Sequence, residues 1–200
     1  MKVAVCDYRA GNIRSVEIAM RRLGAELVED VAGADLAVLP GVGSARSAMA
    51  ELRRQGLDEV LRARVRDGRA VLGICLGLQL SLDWSEEDGG VEGLGILQGR
   101  SIRLTEGRVP RMGWATLEGA RDVDVHLHHT DMSPAVAYYF AHSYAAETSY
   151  ATAWSEGIVA EVRSGSFLGV QFHPEKSGAA GARYLDRVMA EVRERFLSRA

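Results

Sequence analysis

The chain has two cysteines and four prolines in 200 residues, and it carries little net charge. Each shortage narrows what it can be. Cys6 and Cys75 lie far apart and cannot build the disulfide framework of a small secreted domain, so a reducing, cytoplasmic setting is expected. The 24 basic residues stand against 27 acidic ones, a formal charge of -3. That balance gives no bulk attraction for nucleic acid. Lysine is scarce and arginine abundant, from which no function follows. Long apolar runs are also missing. The one at Met1 to Asp7 is too short for a signal peptide or a membrane span, and no other reaches membrane length. There is no internal repeat and no low-complexity tract. A single domain over residues 1–200, large enough to bury a substantial core, is expected.

What is present is organised around Gly73-Ile74-Cys75-Leu76-Gly77. Arg69-Ala70-Val71-Leu72 before it reads as a short buried strand, and Leu78-Gln79-Leu80-Ser81-Leu82 after it as the start of a helix. A cysteine on a strand-to-helix turn, with glycine two residues before and two after, has the form of a nucleophile elbow. The glycines permit a sharp turn without a Cβ clash. The helix that follows presents free N–H groups and its positive end to the sulfur, which favours negative charge there.

The chain leading to the elbow alternates strand and helix. Lys2–Asp7 reads as a strand, with Cys6 as a small core residue. Ile13, Val16, Ala19, Met20 and Leu23 recur at helical spacing after a turn at Tyr8–Asn12. Glu26–Val28 and Asp35–Leu39 are further strands. Ser44 is placed to cap a helix carrying Ala45, Ala48, Met49 and Leu52. Leu57, Val60, Leu61 and Val65 mark another helix, ended by Gly68. This order implies a parallel sheet with helices on both faces. Its reactive loops belong at the carboxyl ends of the strands, so Tyr8–Asn12, Pro40–Ser44 and Cys75 should gather on one edge. After Ser85 the pattern loosens. Glycines at 89, 90, 93, 95 and 99 mark a loop-rich connection. Strand-like runs follow at Ser101–Leu104, Val123–Leu127, Val136–Ala141, Tyr150–Trp154, Gly157–Arg163 and Ser166–Phe172, expected to elaborate the same sheet. A last helix spans Ala180–Leu197, with Tyr184, Leu185, Val188, Val192 and Phe196 as its apolar stripe.

A nucleophilic Cys75 needs a base. Of the five histidines, His173 in Phe172-His173-Pro174-Glu175 follows an apolar strand and so lies at a strand end. His173 and Glu175, two apart in extended chain, share a side. Pro174 fixes φ between them. A carboxylate there can hold one ring nitrogen and leave the other for the thiol. A surface histidine beside a surface glutamate is the plainer alternative. His126 and His128 would share a strand face, but two ligands without a third rarely hold an ion, so His126, His128 and His129 read as a solvated hairpin and no metal is expected. Attack on a carbonyl also needs oxyanion donors. The N–H of Leu76 follows the nucleophile, and the small residues of Pro40-Gly41-Val42-Gly43 let a second backbone donor come close.

Together, Gly73–Gln79, Phe172–Glu175 and Pro40–Gly43 resemble the triad-type glutamine amidotransferases. Asp7–Val16, Val109–Trp114, Tyr139–Tyr144 and His173–Gly178 are similar to the glutaminase subunits of imidazole glycerol phosphate synthase, from the first strand to the last helix. The fold implied is three-layer α/β and flavodoxin-like, with a central, mostly parallel mixed sheet and helices on both faces. The resemblance implies Cys75, His173 and Glu175 as catalytic residues, and Val42, Gly43 and Leu76 as the oxyanion hole. Gln79 and Glu87, with the backbone of His142, Ser143 and Tyr144, would hold L-glutamine. No cofactor is implied. A (β/α)₈-barrel cyclase is implied as the heterodimer partner and ammonia acceptor, facing Asn12, Met112, Trp114, Tyr138 and Lys176.

The chain departs from that family at Arg9, Arg111 and Ala115, where glycine, histidine and asparagine are usual. Three other readings compete. Another amidotransferase subunit, as in anthranilate, aminodeoxychorismate or pyridoxal phosphate synthesis, fits Asp7–Val16 and Pro110–Trp114 less well. A non-catalytic binding protein would have no need of Cys75, His173 and Glu175 together. A cysteine protease or esterase fits poorly with Gln79 on the elbow helix.

Overall fold

The computed structural model describes residues 1–8, 12–119 and 136–197. The run at Val123–Leu127, the histidines His126, His128 and His129, and the departure at Arg9 lie outside the described residues. In chain order the elements are β1 (Lys2–Val5), α1 (Ile13–Arg22), β2 (Glu26–Leu27), β3 (Leu36–Leu39), α2 (Ala45–Gln55), α3 (Leu57–Arg66), β4 (Ala70–Ile74), α4 (Leu76–Leu80) and β5 (Leu82–Ser85). There follow β6 (Val91–Glu92), β7 (Leu97–Arg103), β8 (Arg111–Thr116), β9 (Ala137–His142), β10 (Tyr144–Glu147), β11 (Ala151–Ser155), β12 (Ile158–Ser164), β13 (Phe167–Val170) and α5 (Gly178–Leu197).

The main sheet has seven strands in the order β2-β1-β3-β4-β13-β12-β11. From β2 to β13 every pair is parallel, and the last two pairs are antiparallel. Period-two alternation divides its side chains between two cores. Ala37, Leu39 and Val71 pack with Ala48, Met49 and Leu52 of α2 and Leu61 of α3. Leu36, Val38, Leu72 and Ile74 point the other way, with Val16 and Met20 of α1 and Leu185, Val188 and Val192 of α5. This is the expected α/β architecture with helices on both faces. Helix α2 begins where the sequence places it: Ser44 accepts a hydrogen bond from the Ser47 N–H at its N-terminus. It ends at Gly56, whose φ of 69° is a left-handed cap.

The second half differs from the expectation. It does not simply extend the central sheet. A four-stranded sheet in the order β10-β7-β5-β6 and a β8–β9 ribbon stand apart from it. Strands β5, β6, β8 and β10 are additions to the expected set. Helix α4 is only five residues long, and strand begins at Leu82 where the sequence reads as continuing helix. The ribbon is functionally placed: the His173 N–H donates to the Tyr139 carbonyl of β9 at 2.8 Å.

At the sheet end opposite the elbow, Arg64 acts as a buried staple. It is 2 % exposed and donates to the carbonyls of Val31, Ala32, Ala34, Asp35 and Ala70 at 2.8–3.4 Å. These carbonyls lie where the chain enters β3 and β4, and a buried carbonyl without a donor is costly. Burial, and then the neighbouring Arg69, lower its pKa to about 10, so it remains charged at neutral pH. Arg64→Ala should therefore destabilise the fold by on the order of 3 kcal/mol in urea titration. Arg54 is exposed and pairs with Glu51 one turn back in the same helix, so Arg54→Ala should leave the transition midpoint unchanged.

Candidate active site

Strand β4 ends at Ile74 and α4 begins at Leu76, so Cys75 is the entire turn. Its backbone is held at φ 53° and ψ -106°, a conformation that a residue with a side chain rarely adopts. The neighbours hold it there. The Cys75 N–H donates to the Val170 carbonyl at 2.7 Å. A Cβ on Gly73 would stand 2.9 Å from the Gly77 carbonyl, and one on Gly77 would overlap the Leu39 carbonyl. Glycine at these two positions lets α4 rest directly on the backbone of β3 and β4.

The loop Pro40–Ser44 leaves β3 beside this turn. Gly41 is buried, and a Cβ there would stand 2.6 Å from Leu76 Cβ. The Tyr8 hydroxyl donates to the Pro40 carbonyl and fixes the loop's start. Val42 is partly exposed, and Gly43 has a φ of 100°.

The Cys75 thiol is 5 % exposed. It donates to the Ala141 carbonyl at 3.8 Å, and Gln171 Nε2 donates to the sulfur at 3.6 Å. His173 follows β13 as expected, and its Nδ1 lies 2.8 Å from Glu175 Oε1, with both side chains buried. The Ser177 hydroxyl donates to the His173 carbonyl at 2.6 Å and accepts from the Tyr139 N–H at 2.9 Å, which ties this segment to β9. His173 Nε2 is buried and completes no hydrogen bond among the described residues. A looser contact with the thiol is usual before substrate binds. Burial works to lower the His173 pKa, but the nearby Cys75 sulfur and the hydrogen bond and charge of Glu175 outweigh it and raise the value to about 9. His142 goes the other way. Burial lowers it to about 4, against its hydrogen bond with the Tyr144 carbonyl at 2.8 Å.

A cavity of about 220 Å³ is lined by Val42, Gly43, Cys75, Leu76, Gln79, Glu87, His142, Ser143 and Tyr144, with Pro110, Met112 and Ala141. It gathers residues from five separate stretches of sequence. Glu87 lies on its wall, accepting from the Ala45 N–H at 2.9 Å, and burial raises its pKa. Glu86 is exposed and accepts instead from the Arg103 N–H, away from the cavity. Gln79 donates to the Tyr144 carbonyl at 2.8 Å and to Gln171 Oε1 at 3.1 Å.

The residues expected to face a partner divide. Met112 and Trp114 are 63 % and 58 % exposed on β8. Lys176 is exposed, and Asn12 is half-buried at the start of α1. Tyr138 does not join them. It is 4 % exposed, with its ring 4.4 Å from Phe172 and 6.0 Å from Tyr184. Strand alternation turns Tyr139 outward instead, edge-on to Trp114 at 5.9 Å. The departure at Arg111 is accommodated: its guanidinium lies 4.3 Å from the Phe140 ring centre and bonds Ser155 and Glu156. Ala115 pairs with Tyr138 and packs against the core. Gln171 was missed in the sequence because it reads as one more residue at the end of an apolar strand. Its position two residues before His173 was the available signal.

A cysteine elbow, a buried His–Glu pair and an amino-acid-sized cavity on this sheet define a class of amide-hydrolysing enzymes, and residues 8–192 match the family model described as glutamine amidotransferase class-I. A solved structure titled "Crystal structure of glutamine amidotransferase" shares the fold, with a TM-score of 0.72 at 21 % identity over 92 % of this chain and 96 % of that one. The imidazole glycerol phosphate synthase subunit HisH of Symbiobacterium thermophilum is 43 % identical over 92 % of this chain and 91 % of its own. That of Methanothermobacter thermautotrophicus is 40 % identical over 96 % and 99 %. The chain belongs to the class-I glutamine amidotransferases and, within them, to the HisH subunit family.

The two site histidines give stability opposite pH dependence. The His142 value of about 4 lies below the ordinary 6.5, so its contribution is present above 6.5 and lost as pH falls towards 4. The His173 value of about 9 lies above 6.5, so its contribution is present below 6.5 and lost as pH rises towards 9. Unfolding free energy should peak near neutrality. In Cys75→Ala the alkaline fall should shrink, because one group raising His173 is gone. Denaturant titrations from pH 4 to 9 and histidine NMR titrations would check both.

Proposed function

We propose that this chain is the glutaminase subunit of imidazole glycerol phosphate synthase in histidine biosynthesis, built as one domain over residues 1–200. It hydrolyses L-glutamine to L-glutamate and ammonia and passes the ammonia to a cyclase subunit. The observation that supports this reading is that Cys75 lines one cavity together with Gln79 and Glu87, while the buried His173–Glu175 pair follows β13, the strand that pairs with the elbow strand β4.

Cys75, as thiolate, attacks the side-chain carboxamide carbon of glutamine. The tetrahedral oxyanion takes N–H donors from Leu76 and the Val42–Gly43 loop. His173, charged and held through Nδ1 by Glu175, gives its proton to the leaving nitrogen, and ammonia departs. The neutral imidazole then takes a proton from water as it attacks the thioester, which releases glutamate and restores the thiol. The binding ends follow from hydrogen-bond arithmetic. Both hydrogens of the Gln79 amide are engaged by Tyr144 and Gln171. Gln79 therefore meets glutamine with its carbonyl oxygen, which suits the α-ammonium, as does Glu87. The α-carboxylate falls to backbone N–H groups in His142–Tyr144.

Ammonia released into water is protonated and lost, so the acceptor must dock close by. Met112 and Trp114 are large apolar side chains exposed on neighbouring outward positions of β8, Trp114 edge-on to Tyr139, and Lys176 is exposed as well. With Asn12 they form the surface on which a (β/α)₈-barrel cyclase docks as a heterodimer.

Mixing the chain with a histidine-pathway cyclase and its nucleotide ligand should raise glutamine turnover at least about tenfold. Cys75→Ala should lower turnover by on the order of 10⁴ or more. Unchanged turnover with the cyclase would sink the subunit assignment, and an active Cys75→Ala would sink the mechanism. Trp114→Ala should weaken the complex by on the order of 2 kcal/mol in calorimetry while leaving the melting temperature near wild type.

A further inference from the structure

Gln171 is fully buried, lies outside the Cys–His–Glu grouping, and touches the reacting sulfur. An amide side chain can present either its oxygen or its nitrogen, and the two are told apart by their partners. Here the partners decide. The Tyr144 carbonyl can only accept, so the Gln79 atom 2.8 Å from it is Nε2. The same Nε2 then donates its second hydrogen to Gln171, 3.1 Å away, so that atom of Gln171 is Oε1. Gln171 Nε2 is left facing Cys75 Sγ at 3.6 Å, as a donor. Turning the Gln171 amide over would set two N–H donors against each other and two electron-rich atoms, Oε1 and sulfur, face to face.

We infer that Gln171 is a positioning residue for the nucleophile, its N–H aimed at the Cys75 sulfur by a relay that begins at the Tyr144 carbonyl and passes through Gln79. The donated N–H stabilises negative charge on sulfur and restricts its rotation, leaving a lone pair for the carbonyl carbon. It approaches from the β13 side, whereas Ala141 contributes a carbonyl acceptor from β9. The backbone N–H of Gln171 is bonded to the Ala160 carbonyl at 2.9 Å, which anchors the donor in the main sheet. The relay also joins the nucleophile to the residue that meets the substrate's α-ammonium. That link rests on the glutaminase reading above, whereas the contact with sulfur does not.

The test separates the two. Iodoacetamide alkylation of Cys75, located by mass spectrometry, needs no glutamine. In Gln171→Met, which keeps the length and removes both polar atoms, alkylation at pH 7 should slow at least about fivefold. In the cyclase complex kcat should fall at least about tenfold, with KM within about threefold of wild type. Gln79→Met, which does not touch the sulfur, should also slow alkylation by releasing the Gln171 amide. The double variant should be no slower than Gln171→Met alone. If Gln171→Met does not fold, Gln171→Glu keeps the shape and the acceptor facing Gln79, and its deficit should deepen as pH rises and its carboxyl ionises. Alkylation within twofold of wild type in either folded Gln171 variant, or a loss confined to KM, would overturn the inference. Absence of glutamine turnover in the wild type would overturn only the glutaminase reading.

Discussion

The active edge of this molecule depends on one backbone-to-backbone contact, Gly77 of α4 against the Leu39 carbonyl at the end of β3. Nothing larger than hydrogen fits there. Because β3 and β4 are adjacent and parallel, with Leu39 opposite Gly73, the contact sets the elbow and the Pro40–Gly43 loop side by side. The same closeness forces Cys75 through its left-handed backbone and brings Gly41 onto Leu76. Cys75, the proposed nucleophile, and the candidate oxyanion loop are therefore one packing unit. A shift of α4 by a fraction of an ångström would disturb both, and reactions of this kind lose rate steeply with small misplacements.

Strain at one end is matched by a dense hydrogen-bond network at the other. At the carboxyl edge of the sheet, Cys75 is in a rare conformation, and His173 Nε2, His142 Nε2 and Glu175 Oε2 are buried without completed hydrogen bonds. Such groups are destabilising unless a ligand supplies their partners. At the amino edge Arg64 engages carbonyls from both β3 and β4. Between them, the buried Glu161 accepts from Thr152, Arg163 and the Tyr184 hydroxyl, which joins β11 and β12 to α5. The stabilising polar networks thus stand away from the reacting edge, which is free to keep groups that a stable fold alone would not.

The first half was legible because its signals are local. Helical periodicity marks α1, α2 and α3, and the glycines around Cys75 are required by contacts their own spacing predicts. The His173–Glu175 pair was legible for the same reason: two residues apart, an extended segment and a proline leave few arrangements. The second half was not, because its order is set by tertiary pairing. Strand β5 begins inside what reads as helix, since Leu82 pairs with Leu97 fifteen residues on. Strand β8 exposes Met112 and Trp114 and turns only Arg111, Gly113 and Ala115 the other way, so it lacks a large apolar face towards the core. Tyr138 and Tyr139 look alike in sequence, and only the ladder with β8 decides which is buried, since a shift of one position reverses the sides. Gln171 had only its place two residues before His173 to mark it, and the pattern of an apolar strand end hides it. Its contact with the sulfur exists only because the end of β13 and the start of α4 converge there.

The two histidines show how one side chain acquires opposite states within one cavity edge. Both are buried, and burial alone drives either ring towards neutrality. His142 has only a carbonyl partner and cationic neighbours, Arg111 among them, so its one hydrogen bond does not offset the lost hydration and it stays neutral. With its Nδ1–H given to the Tyr144 carbonyl, its Nε2 is an acceptor. His173 has the thiol and a carboxylate, and their combined effect exceeds the burial penalty. A charged His173 can donate a proton to a departing amine, and a neutral His142 nearby cannot compete with it as an acid. Arg111 strengthens this division, because a permanent charge beside His142 opposes a second one on that ring.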